Sequence, residues 1–316
     1  MNLIELKGVS KEYRKNQVLE GVNLVIEEGD ILGVIGQSGS GKTTLLNLIA
    51  GFLEPTQGEA LYYSPSNQEP HNLTKSLAKI KKHIGFTPQH NSFYHKLTVQ
   101  ENLIHFGQMY GLKSEVLKDN IKSLLEFTRL SDHRHKLADE LSGGMQKRLD
   151  ISCSLVHKPK ILILDEPTAD LDPLLRREIL NLLQAVNKQG VTIALASHHL
   201  DEVEAICNKV AIVHKGHVHS HGLLDDVRKP FLRDHFTINV RSGADKERLI
   251  TRLKALPIQK IIDRGHSLAI YPAHVEKTMS SLFSIIKEEQ LYLHDLDLRK
   301  PSLSEIFEHI ALEKQA

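Results

Sequence analysis

Residues 36–43 read GQSGSGKT and match the spacing G-x-x-x-x-G-K-[ST], a pattern suited to cradling phosphates. Gly36, Gly39 and Gly41 let successive backbone N–H groups curl around phosphate oxygens, and a helix starting just after them adds positive potential. Lys42 brings a point charge to the β- and γ-phosphates, and Thr43 a hydroxyl to Mg²⁺. Gln37, Ser38 and Ser40 fill the turn and Thr44 follows it, so the nucleotide-binding stretch runs from Gly36 to Thr44. A second cluster is ILILDEP, in which apolar residues 161–164 lead into Asp165 and Glu166. At the carboxyl end of a parallel strand this pair faces the ligand-binding edge of an α/β sheet. Asp165 is then placed to hold Mg²⁺ through water, and Glu166 to orient or deprotonate an attacking water. An acidic pair after a strand also caps ordinary turns; its company with the glycine loop favours phosphate chemistry. A third stretch, LSGGMQKRLD (141–150), has a Ser and two glycines before a basic turn but no acid, base or nucleophile pair. It reads either as a plain helix start or as half of a site completed elsewhere.

The elements around these clusters alternate as an α/β fold requires. LIELKGV (3–9) and VLEGVNLVIEEGD (18–30) alternate like strands, and residues 31–53 give a short apolar run, the glycine turn and an apolar helix. Residues 54–82, with Pro55, Pro65 and Pro70, read as loop and exposed edge. Thr98 and Glu101 form a capping box ahead of a helix with Val99, Leu103, Phe106 and Tyr110 on one face, and 114–130 continue as helix. PKILILDEP (159–167) and VTIALASHH (191–199) are strands buried on both faces, and 209–222 a hairpin. A connection over 223–231 leads to a different texture: strands at 236–240, 266–272 and 291–298, helical stripes at 249–256 and 275–286, and Ser302 with Glu305 capping a last helix. This predicts a small α+β domain of β-α-β-β-α-β type over 232–316.

The 316 residues suffice for two domains, and 41% hydrophobic with 25% charged residues is ordinary globular composition. A net charge of +1 argues against nucleic-acid binding by bulk electrostatics. Cys153 and Cys207 form no disulfide framework and match no metal motif; both are expected in helices, in a reducing compartment. No apolar run approaches the roughly 18 residues of a bilayer span, and the N-terminus lacks a signal-peptide block. A cytoplasmic location is therefore expected, with any membrane role supplied by a partner.

With LSGGMQKRL between them, the two phosphate motifs resemble those of the ATP-binding cassette (ABC) family, over nearly all of residues 1–222. The resemblance implies a P-loop NTPase core with an N-terminal antiparallel β part and a helical signature subdomain at about 90–150. It places Tyr13 against adenine, and Gln89 on Mg²⁺ and water near the transport partner. It makes His198 the switch histidine touching the γ-phosphate, a choice over the adjacent His199 that rests on family position. It puts Asp172 in a loop crossing to a second subunit. Ser142, Gly143 and Gly144 would close over ATP held by the other copy, in a homodimer or a pair of ABC ATPases. One departure is Asp170, where many relatives carry Gly.

The family reading implies an ATPase using ATP and Mg²⁺ to drive a separate transmembrane permease, peripheral on the inner face of the cell membrane. The ending PSLSEIFEHI resembles the exporter branch that handles drugs, polysaccharides or lipids. Two rivals are a soluble ABC ATPase acting on ribosomes or DNA and an ATP-gated regulator without turnover. The first lacks its usual second cassette, zinc cysteines or coiled coils; Glu166 and His198 speak against the second. Finally, His217, His219 and His221 would project from one strand face, either as a solvated hairpin surface or as ligands for Zn²⁺ or Ni²⁺.

Overall fold

The computed structural model describes residues 1–14, 16–64, 68–229, 235–240, 243–263, 265, 267–291, 293–299, 302–304 and 306. Two compact units divide the chain, Met1–Val227 and Arg228–Ala316.

In the first unit the chain runs through β1 (Asn2–Tyr13), β2 (Asn16–Glu27), β3 (Ile31–Ile35), α1 (Lys42–Ile49), β4 (Gln57–Tyr63), β5 (Pro70–Asn72), α2 (Leu77–Ile80) and β6 (Ile84–Thr87). It continues through α3 (Val99–Met109), α4 (Ser114–Phe127), α5 (Gly143–Leu155), β7 (Ile161–Asp165), α6 (Pro173–Lys188) and β8 (Thr192–Ser197). It closes with α7 (Leu200–Ile206), β9 (Lys209–His214), β10 (His217–Leu223) and α8 (Leu224–Arg228). Six strands form one sheet in the order β10-β9-β3-β8-β7-β6, parallel except for the antiparallel β9–β10 hairpin. The order puts β3 beside β8 and β8 beside β7, so the glycine loop, the histidine pair and the acidic pair leave neighbouring strand ends. Strands β3, β7 and β8 are buried at every position, as their unbroken apolar runs predict for a covered parallel sheet. A second, antiparallel sheet of order β2-β1-β4-β5 packs its apolar face, including Leu3, Ile4, Leu6 and Val22, into a core shared with α1.

The helical part builds its own core from Phe93, Val99, Leu103, Leu117, Ile121, Leu125, Leu149 and Cys153. The Thr98–Glu101 capping box forms, with each side chain bonded to the other's backbone N–H.

Several expectations are corrected. Residues 54–82 are not simply loop: they hold β4, β5 and α2, and Ala60, Tyr62, Leu73 and Ile80 are buried in the core. Only two residues of β4 point inward, too short an alternation to stand out; Pro70 opens an edge strand, where its missing N–H breaks little pairing. Strand β6 escapes because it is only four residues long, although three of them are buried. Cys207 caps α7 in an extended conformation instead of lying within it, while burial pushes both thiols well up and leaves them unreactive. The expected connection 223–231 begins with the end of β10 and with α8, whose Val227 is buried. The histidine row fails because of a register shift between Val218 and Ser220: His217 faces His214, whereas His221 faces Ala211. One extra residue breaks the period of two on which a shared face depends. Among the described residues, no group of three or more His, Cys, Asp or Glu side chains is arranged to hold a metal.

The second unit contains β11 (His235–Val240), α9 (Gly243–Leu253), β12 (Ile258–Asp263), β13 (Ser267–Pro272), α10 (Val275–Glu288) and β14 (Leu293–Arg299). Its antiparallel sheet has the order β12-β13-β11-β14, the split β-α-β arrangement that the sequence suggests. Leu249, Leu253, Leu282 and Ile285 pack on Leu268 and Ile270. Of the pair Ser302–Glu305, Glu305 lies outside the described residues.

Candidate functional site

The glycine loop is shaped by what surrounds it. A Cβ added to Gly36 would lie 2.3 Å from the Val213 carbonyl oxygen and 2.5 Å from Ser40 Oγ, so the loop can leave β3 only through a glycine. Gly39 differs, because a Cβ there would meet nothing within 4 Å; its φ of 77°, not crowding, is what favours glycine. Gly41, with φ of 107°, turns the chain into α1 through a conformation other residues rarely adopt. Lys42 is 8% exposed, and its Nζ donates to the carbonyls of Gly36 at 2.9 Å and Gln37 at 3.2 Å, which holds the ammonium against the loop.

Thr43 Oγ1 donates to Asp165 Oδ2 at 2.7 Å, joining the first turn of α1 to the end of β7. Asp165 is buried, and its other oxygen, Oδ1, has no hydrogen-bond partner among the described residues. A buried carboxylate oxygen without a donor is costly, and beside a threonine hydroxyl it matches the hard oxygen set that Mg²⁺ prefers. The residues present therefore fit the ion. Glu166 follows in a left-handed conformation, φ 49°, with its N–H bonded to Ala196 O at 3.0 Å. Its Oε2 meets His198 Nδ1 at 2.8 Å, the ring donating in its Nδ1–H tautomer. The glutamate side chain is 10% exposed and that of His198 54%, so the pair has one sheltered and one accessible end. The contact belongs to His198; the ring of His199 lies 4.0 Å from its neighbour's.

The remaining candidates lie on other strand ends, loops and helix starts. Gln89 is exposed, two residues beyond the end of β6, the strand paired to β7. Tyr13 ends β1, is exposed, and has Lys11 Nζ 5.3 Å from its ring centre. Asp172 caps α6, its Oδ1 accepting from the N–H groups of Leu174 and Leu175, with Pro173 at the favoured first position. Asp170 adopts φ of 61°, which explains how the departure from glycine is accommodated: Asp tolerates this region better than most residues. Ser142 is the exposed N-cap residue of α5, and its hydroxyl makes no capping bond. Gly143 and Gly144 form the first turn of that helix.

The sequence profile of the ABC transporter family matches residues 19–169. The Nod factor export ATP-binding protein I of Rhizobium sp. (strain N33) is 30% identical over 306 residues, 96% of this chain and 95% of that protein. The chain belongs to the ABC transporter family. The linearmycin resistance ATP-binding protein LnrL of Bacillus subtilis (strain 168) is 29% identical over 307 residues, 96% of this chain and 97% of that protein. Among solved structures, the dimeric post-hydrolysis state of the ATP-binding cassette MJ0796 bound to ADP and Pi is similar with a TM-score of 0.61 at 29% identity, covering 70% of this chain and 99% of that one. The protein is accordingly an ATP-binding and ATP-hydrolysing subunit of an ABC transporter. Among the described residues, no helix is long and apolar enough to cross a membrane.

The ABC cassette also contains polar residues that the motif reading missed. Asp150, buried in the signature helix α5, accepts from Ser92 N at 3.0 Å and Ser92 Oγ at 2.6 Å, tying that helix to the segment after Gln89. Burial raises its carboxyl pKa, and burial lowers the amine of nearby Lys147. The signal was available: a carboxylate flanked by Leu149 and Ile151 in a helix needs a partner if it is buried with them.

Proposed function

We propose that two cassettes, this chain with a second copy or a related ATPase, clasp ATP between them and thereby drive a separate transmembrane permease. Lys42 and the loop N–H groups bind the phosphates, and Tyr13 stacks on the adenine. Thr43 and Asp165, with Gln89, hold Mg²⁺, which neutralises charge on the β- and γ-phosphates when bound. Glu166 orients the water and takes its proton as oxygen bonds to the γ-phosphorus and the bond to the β-phosphate oxygen breaks. His198, steadied by Glu166, reaches the γ-phosphate through its exposed end. Ser142 and the N–H groups of Gly143 and Gly144 reach the phosphate bound by the opposite cassette, and Asp172 lies in the loop that crosses between them. The observation that carries the reading is the meeting of Thr43 with Asp165 and of Glu166 with His198 at neighbouring strand ends.

The permease docks on the helical part, at about 90–150, which keeps the cassette on the cytoplasmic face of the membrane. Export is the preferred direction, supported by likeness along nearly the whole chain to proteins named for Nod factor export and linearmycin resistance.

Glu166→Gln is the test. It is expected to lower steady-state phosphate release by about 10²-fold or more while ATP binding persists. With ATP this variant should sediment as a dimer and recover an integral membrane protein from solubilised membranes. A strictly monomeric ATP-loaded variant, or recovery of ribosomal or nucleic-acid components alone, overturns the proposal.

A further inference from the structure

Thr168 lies two residues after Glu166, and Ser197 immediately precedes His198. These two segments leave different strands, yet their hydroxyls converge on one carboxylate of α7. Thr168 Oγ1 donates to Glu202 Oε2 at 2.5 Å, and Ser197 Oγ stands 3.5 Å from the same oxygen. Ser197 Oγ in turn accepts from the backbone N–H of His199 at 3.0 Å. Thr168 is fully buried and Glu202 is 6% exposed, so the group of contacts is shielded from water. On the far side, Arg176 Nη1 is 3.8 Å from Glu202 Oε1, while Arg176 Nε donates to the carbonyl of Leu171 at 2.7 Å.

A carboxylate this deeply buried is costly unless its partners are well placed. An ion pair fastening α7 to α6 would be one reason to keep it. The geometry weighs against that as its main role, since the approach to Arg176 is long and partly open to solvent, whereas the short bond goes to the loop carrying Glu166. We infer that Glu202 is a positioning residue for hydrolysis, fastening the turn after Glu166 to the strand end before His198 so that their 2.8 Å contact is held in register. The inference rests on the roles proposed above for Glu166 and His198, through which Glu202 acts.

The test uses the full chain and compares Glu202→Ala, Glu202→Gln, Thr168→Val and the double variant Thr168→Val/Glu202→Ala, with ATP turnover, KM and thermal midpoint measured for each. Because small misplacement of reacting groups is expensive in rate, Glu202→Ala should lower kcat about tenfold or more with KM for ATP changed less than about twofold. Thr168→Val should act similarly, and the double variant should be no worse than either, as for two ends of one interaction. Glu202→Gln, whose amide oxygen still accepts from Thr168, should recover activity to within about threefold of the parent. Should Glu202→Ala fail to fold, Thr168→Val and Glu202→Gln carry the test. Full turnover in Thr168→Val and Glu202→Ala overturns the inference, as does a loss of kcat that follows the thermal midpoint and is not restored by Gln. Glu166→Gln is measured alongside: if it turns over at the parental rate, the proposed site falls with the inference, whereas its failure beside fully active Glu202 variants removes only the latter.

Discussion

The turn at 36–43 and the turn at 142–147 both carry glycines into a helix, but they are finished differently. Around the first, Lys42 is folded onto loop carbonyls, Thr43 is bonded to Asp165, and Glu166 meets His198 within the same chain. Around the second, Ser142 is exposed and its hydroxyl leaves the helix uncapped, although Thr98 elsewhere shows a full capping box. The first turn is wired for a ligand this chain can hold alone. The second keeps polar groups at a surface, in keeping with a phosphate presented from outside. The signature helix runs from the second turn to the sheet, where buried His157, just past its C-terminal end, bonds the carbonyl of Ile84 at 3.1 Å and stacks on Tyr110.

Separating the two turns by mutation is the strongest way to break this contrast. Lys42→Ala should weaken ATP binding by about 10- to 100-fold, the value of a charge-assisted contact. Ser142→Ala should leave ATP affinity of the isolated chain within about twofold while lowering turnover by about tenfold. Nucleotide titration beside phosphate release distinguishes them, and equal losses of affinity would merge the two turns into one site.

The pin is tested by pH. Burial is the main reason the His157 pKa falls from 6.5 to about 4, with the Ile84 carbonyl opposing and His83 adding to the shift. The unfolded chain takes up this proton as pH drops below 6.5 and the folded chain does not until about 4. Stability from this group is thus complete above 6.5 and lost across that window, by on the order of 3 kcal/mol. Urea midpoints at pH 7 and pH 4.5 should show a drop that His157→Phe reduces; an unchanged pH dependence would mean the ring is not held neutral.

The smallest effect is expected at Gly144. An added Cβ would lie 2.8 Å from Leu175 Cδ2, the movable end of a side chain, so Gly144→Ala should cost about 1 kcal/mol or less. Gly36→Ala, facing a backbone carbonyl, should cost clearly more. Denaturant midpoints that rank the two the other way would show that the signature turn is the more tightly built.

The motifs were legible because their chemistry is local. GQSGSGKT needs only a strand before it and a helix after it, and ILILDEP only a covered strand ending in carboxylates. Long uniform patterns were equally plain, as in the burial of every residue in β3, β7 and β8 and in the β-α-β-β-α-β order of the second unit. Short or interrupted patterns were not: β4 has only two inward residues, β6 is only four residues long, and one bulge in β10 removes a face that alternation promised to three histidines.

By itself the sequence determined the phosphate loop, the acidic strand end, the family and the α/β class, since each depends on residue type and spacing along a few turns of chain. Only the tertiary structure decided that His198 and not His199 meets Glu166, that Asp150 is held by Ser92, and that Thr168 and Ser197 share Glu202. Those contacts join residues up to 58 positions apart. The order of strands in the sheet brings such residues together, and residue spacing along one chain carries no record of that order.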